Sequence, residues 1–169
     1  MNEELLLSDI IFNAIIVGIG ATLVMDCFAL FQQRFFSIFP LNYALVGRWL
    51  ICIPKGIFSH KNILLTQPVH MESLVGWFAH YAIGVIFAAI LIVFTGNKWL
   101  IEPTITPSIV FGILTVIFPY FLMQPCLGFG IAAAKTPKPN VARIRSLIAH
   151  TVFGLGLYLS ALINSFIIY

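Results

Sequence analysis

Three ionisable side chains stand inside long apolar stretches of this 169-residue chain. Asp26 interrupts AIIVGIGATLVMDCFALF at 14–31, His80 lies within GWFAHYAIG at 76–84, and His150 lies within SLIAHTVFG at 146–154. A carboxylate can bind a cation or carry a proton, and an imidazole changes its charge near neutral pH. These residue types therefore indicate proton exchange or cation binding, with Gln124 as a fourth polar group.

The composition indicates that these residues lie in membrane-spanning helices. The chain is 60% hydrophobic and 9% charged, whereas soluble domains carry roughly 25% charged residues. A spanning helix needs about 20 mostly apolar residues. Four segments meet that requirement, namely 10–31, 73–94, 106–125 and 145–168. We therefore predict an all-α fold, an integral membrane four-helix bundle that forms a single transmembrane domain over residues 1–169.

Two smaller features refine this prediction. The stretch from Tyr43 to Ile53 is apolar with helical spacing but too short to span, and Pro54 follows it. It predicts a short interfacial or re-entrant helix between the first two spans. Pro119 and Pro125 should kink or break the third span near its end. The acidic start of the chain and the missing cleavage site indicate that the first apolar segment is a retained helix.

The distribution of positive residues predicts the orientation. Eight of the nine Lys and Arg residues lie between the first and second spans, or between the third span and the first residue of the fourth. They are Arg34, Arg48, Lys55, Lys61, Lys135, Lys138, Arg143 and Arg145. The positive-inside rule places these two regions in the cytoplasm. Both termini then lie on the opposite side of the membrane, outside the cytoplasm.

In this topology the polar groups share one layer. Counting along each helix places Asp26, His80 and His150 each about 8–10 Å from the cytoplasmic end of its span, and Gln124 ends the third span on the same side. Residues four apart share a helix face, so Asp26 shares its face with Gly18 and Thr22. Small residues also accompany His80 at Gly76 and Gly84, and His150 at Ser146 and Gly154.

Stripes of small residues are where membrane helices approach each other closely. We therefore expect the layer to face the bundle. It then forms either a functional polar cavity open to the cytoplasm or a set of structural hydrogen bonds. Glu72, Arg48 and Arg143 would stand at the rim of such a cavity, where they could contact a ligand, a lipid headgroup or only solvent.

Four stretches carry a resemblance to a known family. They are LNYALVGRWL at 41–50, GWFAHYAIG at 76–84, MQPCLGFGIAAAKTPKP at 123–139 and RIRSLIAHTVFGLGLYL at 143–159. Together they resemble a family of small bacterial inner-membrane proteins, domain-of-unknown-function family 2938. The resemblance covers nearly the whole chain and implies a bacterial four-helix membrane protein. It implies no activity, substrate, cofactor or site residue.

Several functions remain open at this point. The first is a small transporter or permease in which Asp26 or the histidines exchange protons or bind a cation, with the lipid bilayer and an unknown small molecule or ion as partners. A four-helix chain is small for a transport path, so it could act as a homodimer.

The second is a redox subunit with a haem between His80 and His150, or a divalent metal bound with Asp26. The third is an accessory or scaffold protein without chemistry. We expect no cofactor and no nucleic-acid partner. We also expect no soluble-type enzyme, because no phosphate loop, nucleophile elbow or paired catalytic carboxylates occur in the sequence.

Overall fold

The computed structural model describes residues 7–168, and within that range its regular structure is helical. Four of its helical segments are long and apolar enough to cross a membrane: Leu7–Phe36, Glu72–Thr95, Ile105–Cys126 and Pro139–Ile168. The first, second and fourth are named α1, α3 and α7, in chain order. The prediction of an all-α membrane bundle with four spans is confirmed.

The helices extend beyond the predicted apolar segments. Helix α1 continues through Arg34 to Phe36, and α7 begins at Pro139 instead of Arg145. A proline suits the first position of a helix because its missing N–H would have no partner there. Hydropathy measures the apolar part of a span, whereas polar residues can continue the same helix beyond it.

The third span is broken where its prolines predict a break. Helix α5, Ile105–Leu114, is followed by a π-helical turn at Pro119–Met123 and a short helix α6, Gln124–Cys126. Proline supplies no N–H to the helical ladder, so a regular α-helix cannot continue through these positions. The chain forms a wider π-helical turn here instead, and such turns are frequent at functional sites.

Two short helices connect the spans. Helix α2, Tyr43–Cys52, confirms the predicted short helix, and the side chain of Asn42 accepts a hydrogen bond from its first turn. Helix α4, Asn97–Ile101, was not predicted. It carries the buried residues Trp99 and Leu100. A five-residue helix after a glycine has too short a pattern to be distinguished from a turn.

Contacts divide the chain into two compact units. The first unit comprises residues 7–39, 81–114 and 149–168, and its core contains Val17, Leu91 and Leu157. Small residues bring its helices together. A Cβ atom on Gly18 would lie 2.5 Å from the Cα of Val85, and a Cβ on Gly112 would lie 2.5 Å from the Cα of Gly154. The predicted role of Gly18 and Gly154 in close helix packing is confirmed.

The second unit comprises residues 40–80 and 115–148. Its apolar core joins Leu45, Ile63 and Leu127. Helix α2 lies directly against the first turns of α3, because a Cβ on Gly47 would collide with the carbonyl oxygen of Glu72 and one on Gly76 with that of Tyr43. Glycine at both positions therefore permits backbone contact between the two helices.

Candidate functional site

Asp26 lies in α1 and is partly buried in the first unit. The hydroxyl group of Tyr81, on α3, donates a hydrogen bond of 2.9 Å to its Oδ2 atom. Tyr81 was not among the residues selected from the sequence. The carboxylate therefore faces α3, as its stripe of small residues predicts.

The small residues before Asp26 explain how the two helices come close enough for this bond. Thr22 is buried, and its hydroxyl group donates to the carbonyl oxygen of Gly18 at 2.8 Å, so the side chain is satisfied within its own helix. Opposite it lies Gly84, where a Cβ would collide with the Thr22 hydroxyl oxygen. One turn further along α1, Asp26 has room for a polar contact with Tyr81.

His80 lies among aromatic rings of the second unit. Its imidazole stacks on Tyr43, with ring centroids 4.0 Å apart and an interplanar angle of 23°, and it meets the edge of Trp77 at 5.8 Å. Tyr43 and Trp77 also contact each other at 4.8 Å. The spacing of Trp77 and His80 on one helix could have indicated their contact, but the stacking of Tyr43 depends on how α2 packs.

His150 is partly buried in α7 within the first unit. Its backbone takes part in the close approach to α5, because its carbonyl oxygen lies 2.7 Å from the position of a Cβ on Gly112. The backbone of His150 therefore lies where α5 and α7 pack closely against each other.

Gln124 is buried at the first position of α6, in the second unit. Its Nε2 atom donates to the hydroxyl oxygen of Ser146 over 3.5 Å, a long hydrogen bond. Its Oε1 atom is buried and has no hydrogen-bond partner among residues 7–168.

Glu72 and Arg48 are joined directly. Arg48 Nε donates to Glu72 Oε2 at 2.7 Å, and Nη2 donates to Oε1 at 2.9 Å, in a two-pronged ion pair whose side chains are 7% and 15% exposed. Arg48 Nη1 also donates to the carbonyl oxygens of Ile63 and Thr66.

The Arg48–Glu72 ion pair ties α2 and α3 to the segment between them. The backbone N–H of Val69 also donates to the Glu72 carboxylate, at 2.8 Å. Hydrogen bonding to Glu72 raises the pKa of Arg48, against the opposing effect of burial. The polar atoms of the pair are thus hydrogen-bonded within the protein. Two of the three expected rim residues therefore have structural partners and need no ligand.

Arg143, the third expected rim residue, supports a bent loop. Its Nε atom donates to the carbonyl oxygen of Ala132 at 2.8 Å, and Nη1 donates to Asn140 at 3.1 Å. Ala132 and Ala133 have φ angles of 47° and 58°, a left-handed conformation that L-residues rarely adopt. The bond from Arg143 helps to hold this conformation, while the Tyr120 hydroxyl donates to the Arg143 carbonyl oxygen at 2.6 Å.

Within residues 7–168, no group of three or more His, Cys, Asp and Glu side chains is placed to hold a metal ion. The arrangement at Asp26 instead offers a carboxylate with a phenolic partner. A phenol both donates and accepts hydrogen bonds, so Tyr81 can remain bonded to Asp26 whether the carboxyl group is ionised or protonated.

Comparison with known proteins gives one family. The chain matches the family described as "Protein of unknown function (DUF2938)" over residues 15–164. No curated protein and no solved structure matches the chain. Because the match includes all four spans apart from their outermost ends, the chain belongs to the DUF2938 family of proteins of unknown function.

Proposed function

We propose that this protein is a small transporter or permease of the inner membrane in which Asp26 exchanges a proton for a cation or a cationic small molecule. The observation that carries the proposal is the hydrogen bond from Tyr81 to the Asp26 carboxylate between two membrane-spanning helices. Both termini are periplasmic in this proposal, because eight of the nine positive residues fall in the two regions assigned to the cytoplasm.

The chemistry of the Asp26 site supports proton exchange over simple structural bonding. Placing a charge in the centre of a membrane helix costs at least about 2.5–3.5 kcal/mol, whereas hydrogen bonds between membrane helices contribute only about 0.6 kcal/mol on average. An asparagine could accept the bond from Tyr81 without carrying a charge. A carboxylate adds the ability to change charge, and its phenolic partner suits both charge states.

The remaining polar residues take supporting roles in the proposal. His80 and His150 would pass protons towards the cytoplasm, because a neutral imidazole has one nitrogen that donates a proton and one that accepts a proton. In the second unit, Gln124 would offer a further polar contact, and Glu72, Arg48 and Arg143 would hold the segments of that unit in place. Two copies of the chain would associate in the bilayer, since four spans give a narrow transport path.

The test is proton flux in liposomes containing the purified protein and an internal pH indicator. An imposed gradient of an organic ammonium ion should drive proton movement with wild-type protein. The movement should be absent with Asp26→Asn, which keeps size and hydrogen bonding but cannot titrate. Asp9→Asn is the matched control, because Asp9 is exposed in the same helix, and it should behave as wild type. Equal flux with Asp26→Asn and wild type would refute proton exchange at Asp26 and favour a structural role.

A further inference from the structure

The Gln124 carboxamide is a buried polar group. Within the described part of the chain, only its nitrogen has a hydrogen-bond partner. The residue is 7% exposed, and its Oε1 atom has no partner within residues 7–168. The large majority of buried side-chain polar atoms have a hydrogen-bond partner in the protein or in ordered water, so this oxygen is open to a donor from a water molecule or a ligand. The long 3.5 Å bond to Ser146 occupies the other end of the amide.

The surrounding backbone fixes the position of this amide. Gln124 directly follows the π-helical turn Pro119–Met123 and precedes Pro125. One turn earlier, the Tyr120 hydroxyl donates to the Arg143 carbonyl oxygen at 2.6 Å and so fastens the π-helical turn to the start of α7. The irregular turn thus presents Gln124 from a segment that is bonded to the start of α7.

We propose that Gln124 Oε1 accepts a hydrogen bond from the N–H group of a protonated amine. The inference rests on the proposed function, because it names the chemical class of cation that such a transporter would carry. It gives Gln124 the role of distinguishing amines with N–H groups from quaternary ammonium ions, which have none.

The side-chain oxygens available at this position favour an amine over other ligands. Calcium takes six to eight oxygen ligands, whereas the Gln124–Ser146 pair offers two side-chain oxygens. An anion would need hydrogen-bond donors, but the atom left without a partner is an acceptor. An N–H group needs only one acceptor, and Oε1 provides it.

The test compares two probes of equal charge and equal butyl chain, butylammonium and butyltrimethylammonium, which differ in their N–H groups. Binding to the purified full-length protein is measured by titration calorimetry in detergent micelles. Wild-type protein should bind butylammonium about tenfold more tightly, which corresponds to about 1.4 kcal/mol. Gln124→Met keeps the side-chain length but removes the acceptor, and it should bind both probes equally.

Two further variants control for folding and for the position of the substitution. Gln124→Glu keeps an acceptor at the same place and should retain the preference for butylammonium. Gln33→Met makes the same change at an exposed position of α1 and should leave the preference unchanged. Elution as a single species on gel filtration, together with a cooperative thermal transition followed by circular dichroism, shows that each variant is folded. If Gln124→Met does not fold, a preference lost in Gln124→Glu overturns the inference, because that variant still has the acceptor.

The possible results separate this inference from the proposed function. Equal binding of both probes by wild type, no binding of either, or a preference that persists in Gln124→Met would overturn the role of Gln124, whether or not Asp26 exchanges protons. A preference that depends on Gln124, together with proton flux that does not need Asp26, would support the amine subsite and refute the proposed exchange.

Discussion

The Arg48–Glu72 ion pair makes the sharpest prediction about stability. In Arg48→Met, the Glu72 carboxylate loses both of its bonds to Arg48 and keeps the bond from the Val69 N–H. The carbonyl oxygens of Ile63 and Thr66 lose a donor as well. Removing one partner of a buried pair costs about 3–5 kcal/mol, because the other charge stays buried without compensation. The side chains here are 7% and 15% exposed, so we expect a loss of about 3 kcal/mol or more.

The double variant Arg48→Met/Glu72→Met distinguishes the contribution of the ion pair to stability from that of the hydrogen bonds to the two carbonyl oxygens. Replacing both charges with apolar side chains of similar volume is often nearly neutral. Two carbonyl oxygens would still lack their donor, at about 1–3 kcal/mol for each buried group. We therefore expect the double variant to be less stable than wild type but more stable than the sum of the two single changes predicts.

The assay is reversible unfolding in mixed micelles, followed by circular dichroism. Arg34→Met is the matched control, because Arg34 is exposed at the end of α1, and it should change stability by less than about 0.5 kcal/mol. Glu72 raises the pKa of Arg48, so the contribution of Arg48 is complete below its ordinary pKa and is lost only at still higher pH. Between about pH 6 and pH 9, Arg48 should therefore add no pH dependence. A loss in Arg48→Met no larger than in Arg34→Met, or strictly additive single changes, would refute the reasoning.

Three other predictions concern packing, orientation and cofactors. Gly112→Ala should destabilise the protein by about 1–3 kcal/mol because its new Cβ meets backbone atoms; Gly20→Ala, which meets only the side chain of a serine, should cost less in the same unfolding assay. Reporter fusions after Lys138 should be cytoplasmic and fusions at Tyr169 periplasmic, and the opposite pattern would reverse the proposed orientation. Purified protein should show no stoichiometric haem Soret band, and a band that disappears in His80→Ala would establish a haem site.

The spans and the break in the third one could be predicted because each depends on local sequence. An apolar run of about 20 residues is recognisable even when single positions in it are polar. Proline removes a backbone hydrogen-bond donor in any surroundings. The short helix α2 was also predictable, since its apolar residues have helical spacing and Pro54 follows. Helix α4 was not, because five residues give no periodic signal.

The contacts at the candidate site were less predictable because they depend on helix rotation and on distant pairing. Asp26 was found as a charge in an apolar run. Its partner Tyr81 is next to His80 in the sequence, and the sequence does not fix which of two adjacent residues turns towards α1. Arg48 and Glu72 were selected as separate rim residues, yet they form one ion pair across 24 positions of the chain. Only the packing of α2 on α3 brings that pair together.

Proton release on ligand binding tests the central claim most directly. Butylammonium is added to the purified protein in weakly buffered solution at several pH values, and the released protons are counted with a pH indicator. If the cation exchanges with the proton of Asp26, wild type and Asp9→Asn should release protons, and Asp26→Asn should release none. Equal proton release from Asp26→Asn and wild type at every pH would contradict the account.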